Sequence, residues 1–148
     1  MYHFGGIYTD LDFVCLKNID SFLDKIKKKQ INTVHGEIEL CSIILSEEWE
    51  NSTSLTNTLH NGILISLKKK HPFWLKLIHD IYNDLVLSKI CILVQDDVFK
   101  YTGTKKLFSF FTENKYCFND ISILPFYYCC PYFAKYGTQT IICNGLNT

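Results

Sequence analysis

The stretch Gly5-Gly6-Ile7-Tyr8-Thr9-Asp10-Leu11-Asp12-Phe13 decides how the rest of the chain is read. Ile7-Tyr8-Thr9 is the β-branched and aromatic kind of run that forms a strand, and Phe13-Val14-Cys15 is a candidate continuation. In an extended backbone, residues two apart project to the same side. Asp10 and Asp12 are therefore expected to face one site at the strand's carboxyl end, with Leu11 turned the other way into a core. Two carboxylates held close repel each other, and a hard divalent cation relieves that repulsion. Mn²⁺ or Mg²⁺ takes one or two carboxylates and completes its shell with water and phosphate oxygens. Gly5-Gly6 has no side chains, which leaves room for a ligand beside the backbone. A bare Asp-x-Asp is also the composition of a solvated turn, so the tripeptide alone does not choose between the two.

Working outward, residues 19–28 read as a short helix with Ile19, Phe22, Leu23 and Ile26 on one face. Lys27-Lys28-Lys29 reads as its solvated last turn, where cations suit the negative helix end. Residues 38–45 are apolar enough for a buried strand, and 47–58 are polar and read as a loop. His60-Asn61 reads as a turn introducing a strand over 62–67, with contact to sugar hydroxyls as the lesser reading. Pro72 suits the first position of the clearest helix, with His71 as its cap or flank. Phe73, Trp74, Leu77, Ile78, Ile81, Leu85 and Val86 form its apolar stripe. Asp96-Asp97 reads as a solvated turn, Gly103 as a turn, and 105–111 as another helix. Residues 121–124, the Tyr- and Cys-rich run to Phe133, and 140–143 read as late strands or extended segments. Helices and strands alternate, which predicts an α/β fold with a mixed sheet flanked by helices.

The composition bounds the function. The chain has 148 residues, 47% hydrophobic and 20% charged, enough for one domain with a buried core. Fifteen cations balance fifteen anions, and every cation is Lys, so nothing favours a nucleic-acid partner. No stretch is long and apolar enough for a membrane span, and the N-terminus lacks the basic and apolar regions of a signal peptide. Seven Cys without zinc-like spacing fit reduced, mostly buried thiols in a cytoplasmic type of compartment. Vicinal Cys129-Cys130 offers the other reading, a soft-metal or redox pair. Asn51-Ser52-Thr53 fits the glycosylation sequon, a chance match in a chain with no secretory signal.

The longer string Tyr2-His3-Phe4-Gly5-Gly6-Ile7-Tyr8-Thr9-Asp10-Leu11-Asp12-Phe13 closely resembles the signature of glycosyltransferase family 32, the DXD-motif sugar transferases, which include mannosyltransferases. Fainter similarities follow in the family's order: Asn61-Gly62-Ile63-Leu64, His71-Pro72-Phe73, Thr102-Gly103 with Thr104 where the family has Pro, and Leu124-Pro125 with the segment 128–133. The resemblance implies a partial GT-A-type, Rossmann-like fold and a nucleotide-sugar donor, with a glycan, lipid or protein as acceptor. It implies Asp12 on the metal, Asp10 on the metal or the donor, and Gly6, Tyr8 and Asn61 as further donor-binding residues. It also implies a transfer that retains anomeric configuration.

The family's first nucleotide-binding strands and its Ser-Asp-x-x-Arg helix have no counterpart in this sequence. Residues 1–148 are therefore expected to be a single domain, the middle and C-terminal part of a DXD transferase domain. Two functional expectations follow. One is a metal-dependent hexosyltransferase not expected to be active alone, as a truncated or split product or a chain that needs a partner. The other is a non-catalytic interaction protein whose uncovered apolar surface binds another chain or itself.

Overall fold

A computed structural model describes residues 1–11, 13, 15, 18–28, 30–36, 41–48, 59–87, 94–129, 132–135 and 138–141. In chain order the elements are β1 (Gly6–Thr9), α1 (Ile19–Lys27), β2 (Ile43–Glu47), β3 (Leu59–Ser66) and α2 (Pro72–Tyr82). There follow α3 (Gln95–Tyr101), α4 (Thr104–Asn114), β4 (Ile121–Leu124), β5 (Tyr132–Lys135) and β6 (Thr138–Ile141). The first four strands form one mixed sheet in the order β1-β3-β2-β4, and β5 and β6 pair as an antiparallel two-stranded sheet. The expected α/β class with helices flanking a mixed sheet is what the chain adopts, and this is compatible with a partial Rossmann-like transferase fold.

β3 runs antiparallel to β1 and β2, while β2 and β4 are parallel. Hence β1, β2 and β4 all point the same way, and their carboxyl ends share one rim with the start of β3. Ile43, Ile44 and Leu45 of β2 are almost wholly buried. A continuous apolar run of this kind marks a strand covered on both faces. On one face Ile43, Leu45, Ile121 and Ile123 pack against Phe73 and Trp74 of α2 and Leu107, Phe110 and Phe111 of α4. On the other, Ile44, Ile65 and Leu124 meet Ile26 of α1 together with Ile31.

Local chemistry sets the helix starts. The Asn18 side chain accepts from the Asp20 N–H at 2.7 Å and caps α1. His71 caps α2 through Nδ1, which accepts from the Phe73 N–H at 3.2 Å, ahead of Pro72 in the first helical position. The amino rim of the sheet is sealed by the same residues. His71 Nε2 lies 3.1 Å from both carboxylate oxygens of Asp120, and Trp74 Nε1 donates to Ser66 Oγ at 2.9 Å. Burial pushes the Asp120 carboxyl upward, but hydrogen bonds from Ser42 and His71 and the charge interaction with His71 outweigh it and hold the group below its ordinary value.

Several expectations are corrected. The α2 stripe is buried only at Phe73 and Trp74, whereas Ile78 and Val86 are 56% and 53% exposed. The helix continues into a π-helical turn, Asn83–Leu87, whose wider turn breaks the 3.6 spacing at Leu85 and Val86, while Ile78 is exposed within the regular helix before it. Asp96 and Asp97 lie in the first turn of α3, a helix the sequence reading missed, and Asp97 accepts from the Val94 N–H at 3.2 Å. The buried strand expected over 38–45 lies over Ile43–Glu47, and the last strand over Thr138–Ile141. Residues 37–40, most of the expected loop 47–58, the sequon and Cys91, Cys130 and Cys143 lie outside the described residues.

Lys106 of α4 is buried, yet its Nζ lies 2.6 Å from carboxylate oxygens of both Asp80 and Asp84. Burial pulls its pKa down, and the two carboxylates overcome that and hold it above the ordinary lysine value. The cation ties α4 to the end of α2 and the π-helical turn.

Candidate donor site at the carboxyl rim

β1 begins at Gly5-Gly6, where φ is +66° and +89°. Glycine adopts this left-handed backbone without strain. A Cβ on Gly5 would stand 2.8 Å from the Ser66 carbonyl oxygen, while space beside Gly6 is open. All four β1 residues are exposed and pair with β3 in the register Gly6↔Ser66 to Thr9↔Ile63.

The strand ends at Thr9. The Asp10 N–H still donates to the Gly62 carbonyl at 2.8 Å, but the chain then turns, closed by the Phe13 N–H on the Asp10 carbonyl at 3.2 Å. This overturns two expectations. Leu11 is fully exposed at the tip of that turn and does not face a core. Phe13 and Cys15 lie outside any strand, so the expected continuation of the strand is not formed at these two residues. Asp12 and Val14 lie outside the described residues.

Asp10 is half-buried at the carboxyl end of β1, where ligands of open α/β sheets gather. Its Oδ1 accepts from the Tyr8 hydroxyl at 2.5 Å, a short charge-assisted bond. Its Oδ2 sits 2.9 Å from the point where a Cβ on Gly62 would stand. The same point is 2.7 Å from His60 Cε1 and 2.8 Å from Phe13 Cε2. Any side chain at Gly62 would collide with all three, so the glycine is the floor on which they meet. His60 and Phe13 meet edge to face, with ring centroids 5.3 Å apart.

β3 reaches this arrangement through an irregularity. Ile65 pairs with Ile44 and His60 with Ser46, so β3 spends more residues than β2 between the two pairs. Such a bulge re-aims side chains beside functional sites. His60 and Asn61 thus lie within β3, where the sequence reading placed a turn.

Of the four expected donor-binding residues, the structure brings Tyr8 and Asp10 together. Gly6 lies at the other end of β1, about 13 Å away by strand geometry, and Asn61 is exposed beside His60. His60, for which a sugar-hydroxyl contact is the lesser of two readings, lies in the site, and Gly62 and Phe13 join it there without having been singled out; the signal that pointed to Gly62 is a glycine inside a strand pattern, which marks a bulge or a close approach. Glu47 ends β2 on the same rim, and burial pushes its carboxyl above the ordinary value against a hydrogen bond from the Phe126 backbone. Among the described residues, no group of three or more His, Cys, Asp or Glu is placed to hold a metal ion. Burial pushes the Cys129 thiol up to about 11, which disfavours the thiolate that a soft metal needs. A separate shallow cleft of about 430 Å³, lined by Pro72, Leu75, Lys76, His79, Cys117 and Phe118, shares no residue with the Asp10 group.

Residues 1–32 match the family model of the glycosyltransferase sugar-binding region containing a DXD motif. The matched stretch holds β1, the Asp10 turn and α1. No curated protein and no solved structure matches the chain. No helix among the described residues is long and apolar enough to cross a membrane.

Proposed function

We propose that this chain carries the donor-binding part of a metal-dependent hexosyltransferase, which moves a hexosyl group from a nucleotide-sugar to a hydroxyl of a glycan, lipid or protein. The observation that carries the reading is Asp10. It lies at the carboxyl end of β1, is anchored by Tyr8, and rests over a glycine floor within the stretch that matches the DXD sugar-binding region.

Asp10 fits a divalent cation: it is a hard, half-exposed anionic ligand with one oxygen anchored and the other facing the floor. In this reading Asp10 and Asp12 hold Mn²⁺ or Mg²⁺, and a cation there supplies charge stabilisation to the departing nucleoside diphosphate. The chain's own contribution is positional. Tyr8 limits the rotation of the carboxylate, and Gly62 lets Asp10, His60 and Phe13 meet over one point. Gly6 and Asn61 are further donor contacts in this reading. In this reading residues 1–148 are one domain, the middle and C-terminal part of a transferase domain, a reading supported by the two apolar clusters on one sheet.

A second reading, a non-catalytic interaction protein, is favoured by β1. Its residues are exposed and its described partner is β3 alone, which leaves an outer edge able to pair with another chain. Titration calorimetry of GDP and UDP, with and without Mn²⁺, separates the two. The transferase reading expects Mn²⁺ to tighten nucleotide binding at least tenfold, because cation and diphosphate supply ligands to each other, and Asp12→Asn to abolish the gain. Equal affinity in both conditions would remove the metal-dependent reading and leave the interaction protein.

A further inference from the structure

The two ring nitrogens of His60 are in different situations. Nδ1 accepts a hydrogen bond from the Gly62 N–H at 2.9 Å. A nitrogen that accepts carries no proton, so in the neutral ring the proton sits on Nε2. The ring is half-buried, steadied edge-on by Phe13, and shares the space above Gly62 with Asp10 Oδ2. Turning it to the other tautomer would set two N–H groups against each other and leave the Gly62 amide without its acceptor, a costly outcome for a buried residue.

A histidine that binds a metal presents a lone pair from one nitrogen and donates the N–H of the other to a second group. His60 has the reverse arrangement: the backbone uses the lone pair, and an N–H is what remains. Beside the glycine floor, Asp10 is therefore an acceptor and His60 a donor.

We propose that His60 binds the nucleotide-sugar by donating its Nε2–H to a ligand oxygen, on the diphosphate or the sugar, and takes no part in holding a metal. This rests on reading the Asp10 rim as the donor site. The contact discriminates in favour of ligands that place an acceptor oxygen beside the Asp10 carboxylate.

Two measurements test it. Long-range ¹H–¹⁵N correlation spectra of the ligand-free chain report the tautomer. The Nε2–H form is expected, and the Nδ1–H form would overturn the proposal whatever the ligand results. Calorimetry then compares the wild type, His60→Ala and His60→Gln with UDP, GDP, UDP-glucose and GDP-mannose in the presence of Mn²⁺. Binding of Mn²⁺ alone is followed by electron paramagnetic resonance.

His60→Ala is expected to weaken nucleotide-sugar binding about tenfold, the usual scale for one lost hydrogen bond to a charged or polar ligand. His60→Gln, which keeps a donor, is expected to recover most of the loss. Mn²⁺ affinity is expected to be the same in all three. A deficit shared by UDP or GDP places the contact on the diphosphate, and one confined to the nucleotide-sugars places it on the sugar. Unchanged nucleotide-sugar binding in His60→Ala, or a fall in its Mn²⁺ affinity, would refute the proposal. A wild type that binds none of the four nucleotides is a different result: it refutes the donor-site reading itself, and the proposal with it.

Discussion

The Tyr8 hydroxyl donates to Asp10 Oδ1 at 2.5 Å, so the strand that delivers the aspartate also fixes the direction of its carboxylate. Residues two apart on an extended backbone share a face, and Tyr8 and Asp10 follow that rule. Tyr8→Phe removes the hydroxyl and keeps the ring. It is expected to lower Mn²⁺-dependent nucleotide affinity several-fold, on the scale of one hydrogen bond to a charged group, and to leave the urea midpoint nearly unchanged because the site is exposed. Calorimetry and a urea titration on the same preparation check both halves.

Gly62→Ala tests the floor. Its Cβ would stand under 3 Å from Asp10 Oδ2, His60 Cε1 and Phe13 Cε2. Relief comes from displacement of those three side-chain ends. Destabilisation of no more than about 1 kcal/mol is expected, the low end for overpacking, together with loss of Mn²⁺-dependent nucleotide binding. A variant that melts like the wild type and still binds would show that the three groups do not converge there.

The sealed rim offers a pH test. The native Asp120 carboxyl lies below its ordinary value of 3.8. Its contribution to stability is therefore complete above that value and is lost as pH falls through the lower native value. Asp120→Asn is expected to cost about 1–2 kcal/mol at pH 7, from the weakened partnership with His71. The gap to the wild type should narrow once the pH is low enough to protonate native Asp120. Urea titrations of both proteins at pH 7 and at successively lower pH measure the gap directly. A gap that does not change with pH would mean that Asp120 has no depressed pKa.

Glu47 gives the opposite sign. Burial raises its native pKa above the ordinary 4.5, so the native state is penalised as pH rises past that value. Glu47→Gln keeps an acceptor for the Phe126 N–H and removes the charge. It is expected to stabilise the chain at pH 7 and to have no effect at pH below both pKa values. Thermal unfolding at the two extremes distinguishes this from a general packing effect.

Lys106→Ala is expected to destabilise by about 1–3 kcal/mol, since it leaves Asp80 and Asp84 facing each other without their cation, partly relieved by solvent. Adding Asp80→Asn and Asp84→Asn to that variant should restore part of the loss. A double-mutant analysis by urea titration isolates the charge contribution.

Much of the architecture was legible without coordinates. Pro72 after His71 marked a helix start because proline suits the first helical position and leaves the cap to the residue before it. The apolar, β-branched run over 38–45 marked a buried strand, which the chain forms over Ile43–Glu47. α3 escaped notice because Gln95–Tyr101 buries none of its residues and so has no strong apolar stripe to read. The drift of the stripe at Leu85 and Val86 was hidden because a π-helical turn leaves no periodic trace in the sequence.

The site divides along the same line. The residue types and their spacing set out Asp10 at the end of a strand that follows two glycines, because those are matters of local backbone and composition, and the string around it carried the resemblance to the DXD-motif transferases. Where the strand stops is another matter. That Leu11 goes to solvent, and that Asp10, Phe13, His60 and Gly62 converge, was decided by the pairing of β1 with β3 and by the bulge in β3. Register and bulges arise from hydrogen bonds and packing between segments some fifty residues apart in the chain. A one-residue change in that pairing would turn a different side chain toward Asp10 without altering a single local propensity, which is why only the folded sheet could say that His60 stands beside it.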